Sequence, residues 1–317
     1  MTDPVCWPQL SVVIPVYGSE AALPSLVQRL QPVLAAVARE YELVLVNDGS
    51  PDWSWEVIEQ LTGQHDWVRG IRLMRNYGQH NALLAGIRAA RFEIIVTMDD
   101  DLQHPPEELP KLLAKMQEGY DVVYGTPESE QHGLLRDLAS LITKIALQSA
   151  MGAETARVVC AWRVFRTSLR DAFAGYHNPF VSIDVLLTWG TTKFGSVRVR
   201  HDPRTIGKSN YTLSKLVRHA LNMMTGFSVL PLQIASFIGF AFTLFGIGVL
   251  LYVLGRYFTT GTSVAGFPFL ASIIAIFSGA QLFALGIIGE YLARMHFRSM
   301  DKPPYTVRSN GEGRGGQ

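Results

Sequence analysis

The sequence predicts an α/β chain: a mostly parallel sheet with helices on both faces, followed by two C-terminal membrane-spanning helices. Three observations carry this. Over the first 125 residues, short β-branched runs alternate with amphipathic stretches, as in sheets assembled from strand–helix units. Ile234 to Gly255 and Phe267 to Gly289 contain no charged residue, and each exceeds the about 20 residues needed to cross a hydrocarbon core of ~30 Å. Polar motifs directly follow three of the apolar runs.

Strands are expected at SVVIPV (11–16), YELVLVN (41–47), VRGIRL (68–73), FEIIVTM (92–98) and DVVYG (121–125), each with the length and β-branched content of a buried strand. Helices are expected between them, at Ala22–Arg39, Trp53–Gln64, Gly78–Ala90 and Pro105–Glu118. Residues 133–151 place Leu134, Leu138, Leu141, Ile142 and Ile145 at helical spacing, the stripe of a packed helix. Leu213 to Phe227 repeats the pattern with Lys215 and Arg218 on its polar side. Its place just before an apolar run predicts a helix lying in the membrane interface. The end, from Ser299, is rich in Pro and Gly and reads as a flexible tail.

Charge places these parts. Lys208, Lys215, Arg218 and His219 precede the first apolar run, and Arg294, Arg298 and Lys302 follow the second, whereas the connection carries only Arg256. The bias of Lys and Arg toward the cytoplasm puts both termini and residues 1–230 on that side of the inner membrane. MTDPVCWPQL lacks the pattern of a secretory signal. Cys6 and Cys160 give neither a disulfide framework nor a metal cluster, and the histidines are too scattered for a zinc site. With a net charge of +1, no nucleic-acid partner is expected.

Tyr17-Gly18-Ser19-Glu20, Asp48-Gly49-Ser50 and Asp99-Asp100-Asp101 follow the first, second and fourth strands. In a parallel sheet these ends share one edge, where ligands collect. Consecutive aspartates repel, so they call for solvent, a helix cap or a cation. Pro105, Pro106, Glu107 and Glu108 suit a helix start, but Asp99 and Asp101 come too early to cap it. Oxygen ligands at alternate positions suit Mg²⁺ or Mn²⁺ shared with substrate phosphates. GxGxxG after the first strand and GxxxxGK[ST] are both missing, which disfavours dinucleotide and P-loop chemistry.

SVVIPVY, NDGSPD, RNYGQHNALLAG and MDDDLQHPPEE, followed by two apolar spans, resemble the family 2 glycosyltransferases that load sugars onto polyprenyl phosphates. The resemblance implies a GT-A fold in which Pro15, Tyr17, Glu20, Asp48, Asp99 and Asp100 serve the nucleotide. It implies that Asp99, Asp101 and Gln103 serve the metal and diphosphate. Arg136, Arg204 and Lys208 match basic positions near the acceptor phosphate, so Asp101, Arg136 and Arg204 are the expected catalytic set. It also implies a nucleotide-sugar donor such as UDP-glucose, a polyprenyl (undecaprenyl) phosphate acceptor, the lipid bilayer and a homo-oligomer, a tetramer by the family's habit. Departures are Gly18-Ser19 in place of Asn-Glu, Thr126 in place of a basic residue, Asn210 in place of Lys, and Arg157 in place of an acid that serves relatives as a base.

The expected division is a cytoplasmic catalytic domain over 1–210, an interfacial helix over 211–231, membrane helices within 232–298 (about 234–255 and 267–289), and the tail 299–317. Asp184, an acid in an apolar stretch, faces the acceptor or caps a helix. Gly239, Gly246, Gly279 and Gly286, with Ala280 and Ala284, suit close helix packing or are simply tolerated in lipid. Glu290 is expected to pair with Arg294 one turn on. A processive polysaccharide synthase would carry QxxRW and more spans, and neither is present. A silent nucleotide-sugar-binding adaptor is the rival from outside the enzymes.

Overall fold

The computed structural model describes residues 7–127, 159–202, 230–260 and 266–308. Among the described residues seven strands form one sheet: β1 (Trp7–Val16), β2 (Ala38–Asn47), β3 (Val68–Arg72), β4 (Ile94–Thr97), β5 (Val122–Pro127), β6 (Arg163–Arg166) and β7 (Phe194–Val199), in the order β3-β2-β1-β4-β6-β5-β7. All neighbours are parallel except β6, which runs antiparallel between β4 and β5. The sheet is therefore mostly parallel, as expected, and mixed only through β6.

Helices cover both faces. α1 (Leu23–Val37), α2 (Ser54–Gln64) and α4 (Leu109–Met116) pack on one side, burying Leu26, Leu30, Ile58, Leu112 and Met116 against Leu10, Val12, Ile14 and Leu43. α3 (Gln79–Ala89) and α5 (Ile183–Thr188) take the other, with Leu84, Ile87, Ile183 and Leu187 against Val13, Val44 and Ile95. Alternation along β1 explains the division: Val12 and Ile14 face one layer and Val13 the other. Pro15 lies beyond Val13, the last β1 residue paired with β4, where a missing N–H leaves that pairing intact.

The five expected strands and the first three helices are present with ends shifted by a few residues. The fourth helix is divided, a 3-10 turn over Pro106–Glu108 leading into α4. The expected helix over 133–151 lies outside the described residues, as does nearly all of the interfacial helix expected over 211–231.

Two long apolar helices follow, α6 (Leu230–Thr260) and α7 (Phe267–Ser299). Within them Pro231–Arg256 and Ile276–His296 are long and apolar enough to cross a membrane, with none of their apolar windows buried inside the molecule. They touch at Phe242 and Phe277, whose rings meet edge-on at 5.5 Å. A Cβ on Gly246 would come within 3.2 Å of Phe277, whereas Gly239, Gly279 and Gly286 face open space. Glu290 pairs with Arg294 at 2.9 Å, as the spacing predicts. The start of the tail is docked: Pro304 is buried, and Val307 bridges to Leu73 beside β3.

Candidate active site at the carboxyl edge of the sheet

The three polar motifs converge. β1, β2 and β4 are adjacent and parallel, so Val16, Asn47 and Thr97 end together and their following turns touch. Tyr17 N donates to Asp100 Oδ2 at 3.3 Å, tying the first motif to the third. Gly18 N donates to Ser50 Oγ at 3.2 Å, tying the first to the second.

Asp48 is 3% exposed and sits in a backbone cradle. Tyr77 N donates to its Oδ1 at 2.7 Å and Gly78 N to its Oδ2 at 2.8 Å. Burial pushes its pKa up, opposed by those two amides and by the charge of Arg75. Arg75 lies over the Tyr77 ring, 4.2 Å from its centre. Gly49 explains the close fit: φ is +66°, and a Cβ would stand 2.6 Å from Arg75 C and Asn76 N. Only glycine accepts both.

In the aspartate row each carboxylate has a different partner. Asp99 Oδ1 accepts from Gln79 Nε2 at 2.6 Å. Asp100 is turned back toward β1, and burial raises its pKa while bonds from Ser19 and Tyr17 oppose the rise. Asp101 Oδ1 accepts from Gln103 N at 3.1 Å. Between them Leu102 adopts φ +61°, a conformation that costs a non-glycine residue about 1–2 kcal/mol. Gln103 O accepts from Asp202 N at 2.9 Å, linking this loop to the chain that leaves β7.

Glu20, expected on the nucleotide, accepts from Trp53 N at 2.9 Å at the start of α2. Tyr17 is 47% exposed at the edge of the site, and Pro15 is buried within β1. Arg136, Arg157, Arg204 and Lys208 lie outside the described residues. Among the described residues, no group of three or more His, Cys, Asp or Glu side chains converges on a metal position. Asp99 and Asp101 still suit Mg²⁺ or Mn²⁺, because such ions take one or two carboxylates and leave other positions to phosphate and water.

Beneath the aspartates lies a buried network that the sequence reading missed. Arg163 is 2% exposed and pairs with Asp184, while its Nε donates to Thr97 Oγ1 at 2.9 Å. Tyr124 Oη donates to the same Asp184 oxygen at 3.0 Å. Asp184 therefore does not cap α5; it neutralises a core arginine that also bonds Thr97, two residues before the aspartate row. The signal was an arginine set among apolar residues in AWRVF. His104 is buried as well: it is 6% exposed, its ring tilted 58° to that of His201 with centres 5.1 Å apart, and burial lowers its pKa to about 4, helped by His201.

The profile of glycosyl transferase family 2 matches residues 11–176, which hold the three polar motifs at the strand ends. The chain belongs to that family. As a family 2 glycosyltransferase it is 36% identical, over 94% of its length and 91% of the relative's, to the undecaprenyl-phosphate 4-deoxy-4-formamido-L-arabinose transferase of Shewanella sediminis. It is 35% identical to the transferase of the same name from Proteus mirabilis, covering 95% of this chain and 93% of the relative. Its fold is that of glucosyl-3-phosphoglycerate synthase from Mycobacterium tuberculosis, solved with Mn²⁺, UDP and glucosyl-3-phosphoglycerate. The TM-score is 0.52 at 18% identity, over 69% of this glycosyltransferase and 78% of that chain.

Proposed function

We propose that this glycosyltransferase moves one sugar from a nucleotide-sugar donor to a polyprenyl phosphate at the cytoplasmic face of the inner membrane, inverting the anomeric centre. The observation that carries the reading is the meeting of Asp48, Asp99, Asp100 and Asp101 on one sheet edge in a chain that also holds two apolar helices of membrane-spanning length. Near full-length similarity to undecaprenyl-phosphate sugar transferases supports the acceptor class.

Asp48, fixed by the amides of Tyr77 and Gly78, presents an acceptor to the nucleoside, with Tyr17 and Pro15 beside it. Asp100 braces the β1 turn against the aspartate row. Asp99 and Asp101, with Gln103, would hold Mg²⁺ or Mn²⁺. When bound, the ion supplies positive charge to the departing diphosphate. Arg136, Arg204 and Lys208 hold the acceptor phosphate, arginine by a planar fork suited to two oxygens.

The acceptor needs no protein base. A phosphate monoester has a second pKa near ~6 and is largely dianionic at cytoplasmic pH. Its oxygen attacks the anomeric carbon as the bond to the diphosphate breaks, so no proton has to leave. Arg157, in a position where relatives carry an acid, is compatible with this chemistry. Anchoring by two spans keeps the site where a bilayer-bound lipid and a soluble donor meet, and the assembly is a homo-oligomer.

A screen of UDP- and GDP-sugars with Mn²⁺ and a short polyprenyl phosphate tests the reading. UDP-glucose and a nucleotide-linked 4-deoxy-4-formamido-L-arabinose are the two donors to compare first, the former from the resemblance to bacterial polyprenyl-phosphate transferases and the latter from the sugar that the similar transferases carry. Nucleotide release that requires the lipid phosphate is expected, with Asp101→Asn inactive but folded and Arg136→Ala weakened mainly toward the lipid. Turnover by Asp101→Asn at the wild-type rate would remove the metal assignment, and a silent wild type would favour an adaptor.

A further inference from the structure

The tail does not end at the membrane helix. After Ser299 the chain turns through Asp301, at φ +48°, and runs back along the outer edge of the sheet. Met74 N donates to Thr306 O at 2.9 Å and Arg308 N to Arg72 O at 2.7 Å. The pair brackets an antiparallel bridge between Leu73 and Val307. Tyr305 packs into the apolar layer beside α3, with the Arg88 guanidinium 5.8 Å from its ring centre.

Covering an open strand edge is a sufficient reason for such a segment, but its position reaches further. β3 stops at Arg72, and the tail clamps the two residues beyond it, Leu73 and Met74. The next residues are Arg75 to Gly78, whose last two amides hold Asp48 at 2.7 and 2.8 Å. α7 has a second hold on the same region. Arg294 lies 4.8 Å from the centre of the Phe180 ring, and the neighbouring Pro179 O accepts from Asn81 Nδ2 at 3.3 Å in the first turn of α3.

We propose that Pro304–Arg308 is a positioning strap for the donor site. It fixes the Arg75–Gly78 turn from behind, so that membrane helix α7 sets the cradle of Asp48. The strap makes no contact with substrate. The inference rests on the donor-site reading of Asp48.

The test uses the full-length protein in nanodiscs, with UDP plus Mn²⁺ and GDP plus Mn²⁺ as probes in calorimetry. Arg308→Pro deletes the N–H that bonds Arg72, whereas Arg308→Ala keeps it. Tyr305→Ala removes the ring, whereas Tyr305→Phe keeps it. Arg308→Pro and Tyr305→Ala should weaken the tighter-binding nucleotide about tenfold, the scale of losing one or two net hydrogen bonds. They should raise the donor KM equally and leave the acceptor KM and kcat within about twofold; the alanine and phenylalanine controls should match wild type.

Hydrogen exchange gives a second measure that needs no turnover. Tyr77 and Gly78 amides should exchange faster in the two disruptive variants, while β1 and β2 amides stay protected. Wild-type affinity and exchange in Arg308→Pro and Tyr305→Ala would overturn the strap, as would equal losses in the controls. If wild type binds neither nucleotide, the donor-site reading itself fails and the strap falls with it.

Discussion

Gln79 Nε2 donates a 2.6 Å hydrogen bond to Asp99 Oδ1, joining the first turn of α3 to the first carboxylate of the aspartate row. The residue before it, Gly78, gives its amide to Asp48. One helix start thus orients Asp48 and Asp99, the carboxylates proposed for the nucleoside and for the metal, together.

Gln79→Ala should therefore weaken metal-dependent donor binding by about five- to tenfold, the value of one charge-assisted hydrogen bond, with little change in Tm. Gln79→Glu should cost more, since it sets a second negative charge against Asp99. Calorimetry with UDP and Mn²⁺ checks both, and equal affinity in the two variants would contradict the geometry.

The buried Arg163–Asp184 pair makes a stability prediction. Arg163→Met or Asp184→Leu alone leaves an uncompensated charge in the core, which typically costs about 3–5 kcal/mol. The double variant should unfold at a higher temperature than either single one. Additive losses in a thermal-unfolding cycle would show that the two residues do not share one interaction.

His104 makes a pH prediction. Its pKa falls from 6.5 to about 4 on folding, chiefly through burial and then through His201. Between those values the unfolded chain binds the proton and the folded chain does not. Stability is therefore lost as pH drops through that window, by on the order of 3 kcal/mol in full. In metal-free buffer, Tm should fall more steeply from pH 7 to 4.5 for wild type than for His104→Asn. Parallel slopes would contradict the burial of a neutral imidazole.

The parts legible in the sequence were those whose signal is local. SVVIPV and YELVLVN carry enough β-branched residues to declare buried strands, and the motifs at their ends marked the site because parallel strands finish together. β6 was illegible as Arg163-Val164-Phe165-Arg166, because its arginines break the apolar run and their reason, Asp184 and Asp121, is distant in sequence. β7 did carry a signal, with Gly195, Val197 and Val199 alternating against Ser196 and Arg198. The contact between the Glu20 carboxylate and Trp53 N likewise involves a distant partner that no spacing within YGSE announces. The docking of Val307 was hidden by the Pro- and Gly-rich tail around it, since main-chain pairing with a strand edge demands little of side-chain type.

Single-sugar transfer to a lipid phosphate is tested most directly by mass spectrometry of the lipid product. Purified wild type, a nucleotide sugar, Mn²⁺ and a polyprenyl phosphate of defined length should give one species, heavier than the acceptor by a single glycosyl unit, with one nucleoside diphosphate released per lipid. A ladder of products, or donor consumption with the lipid mass unchanged, would contradict it.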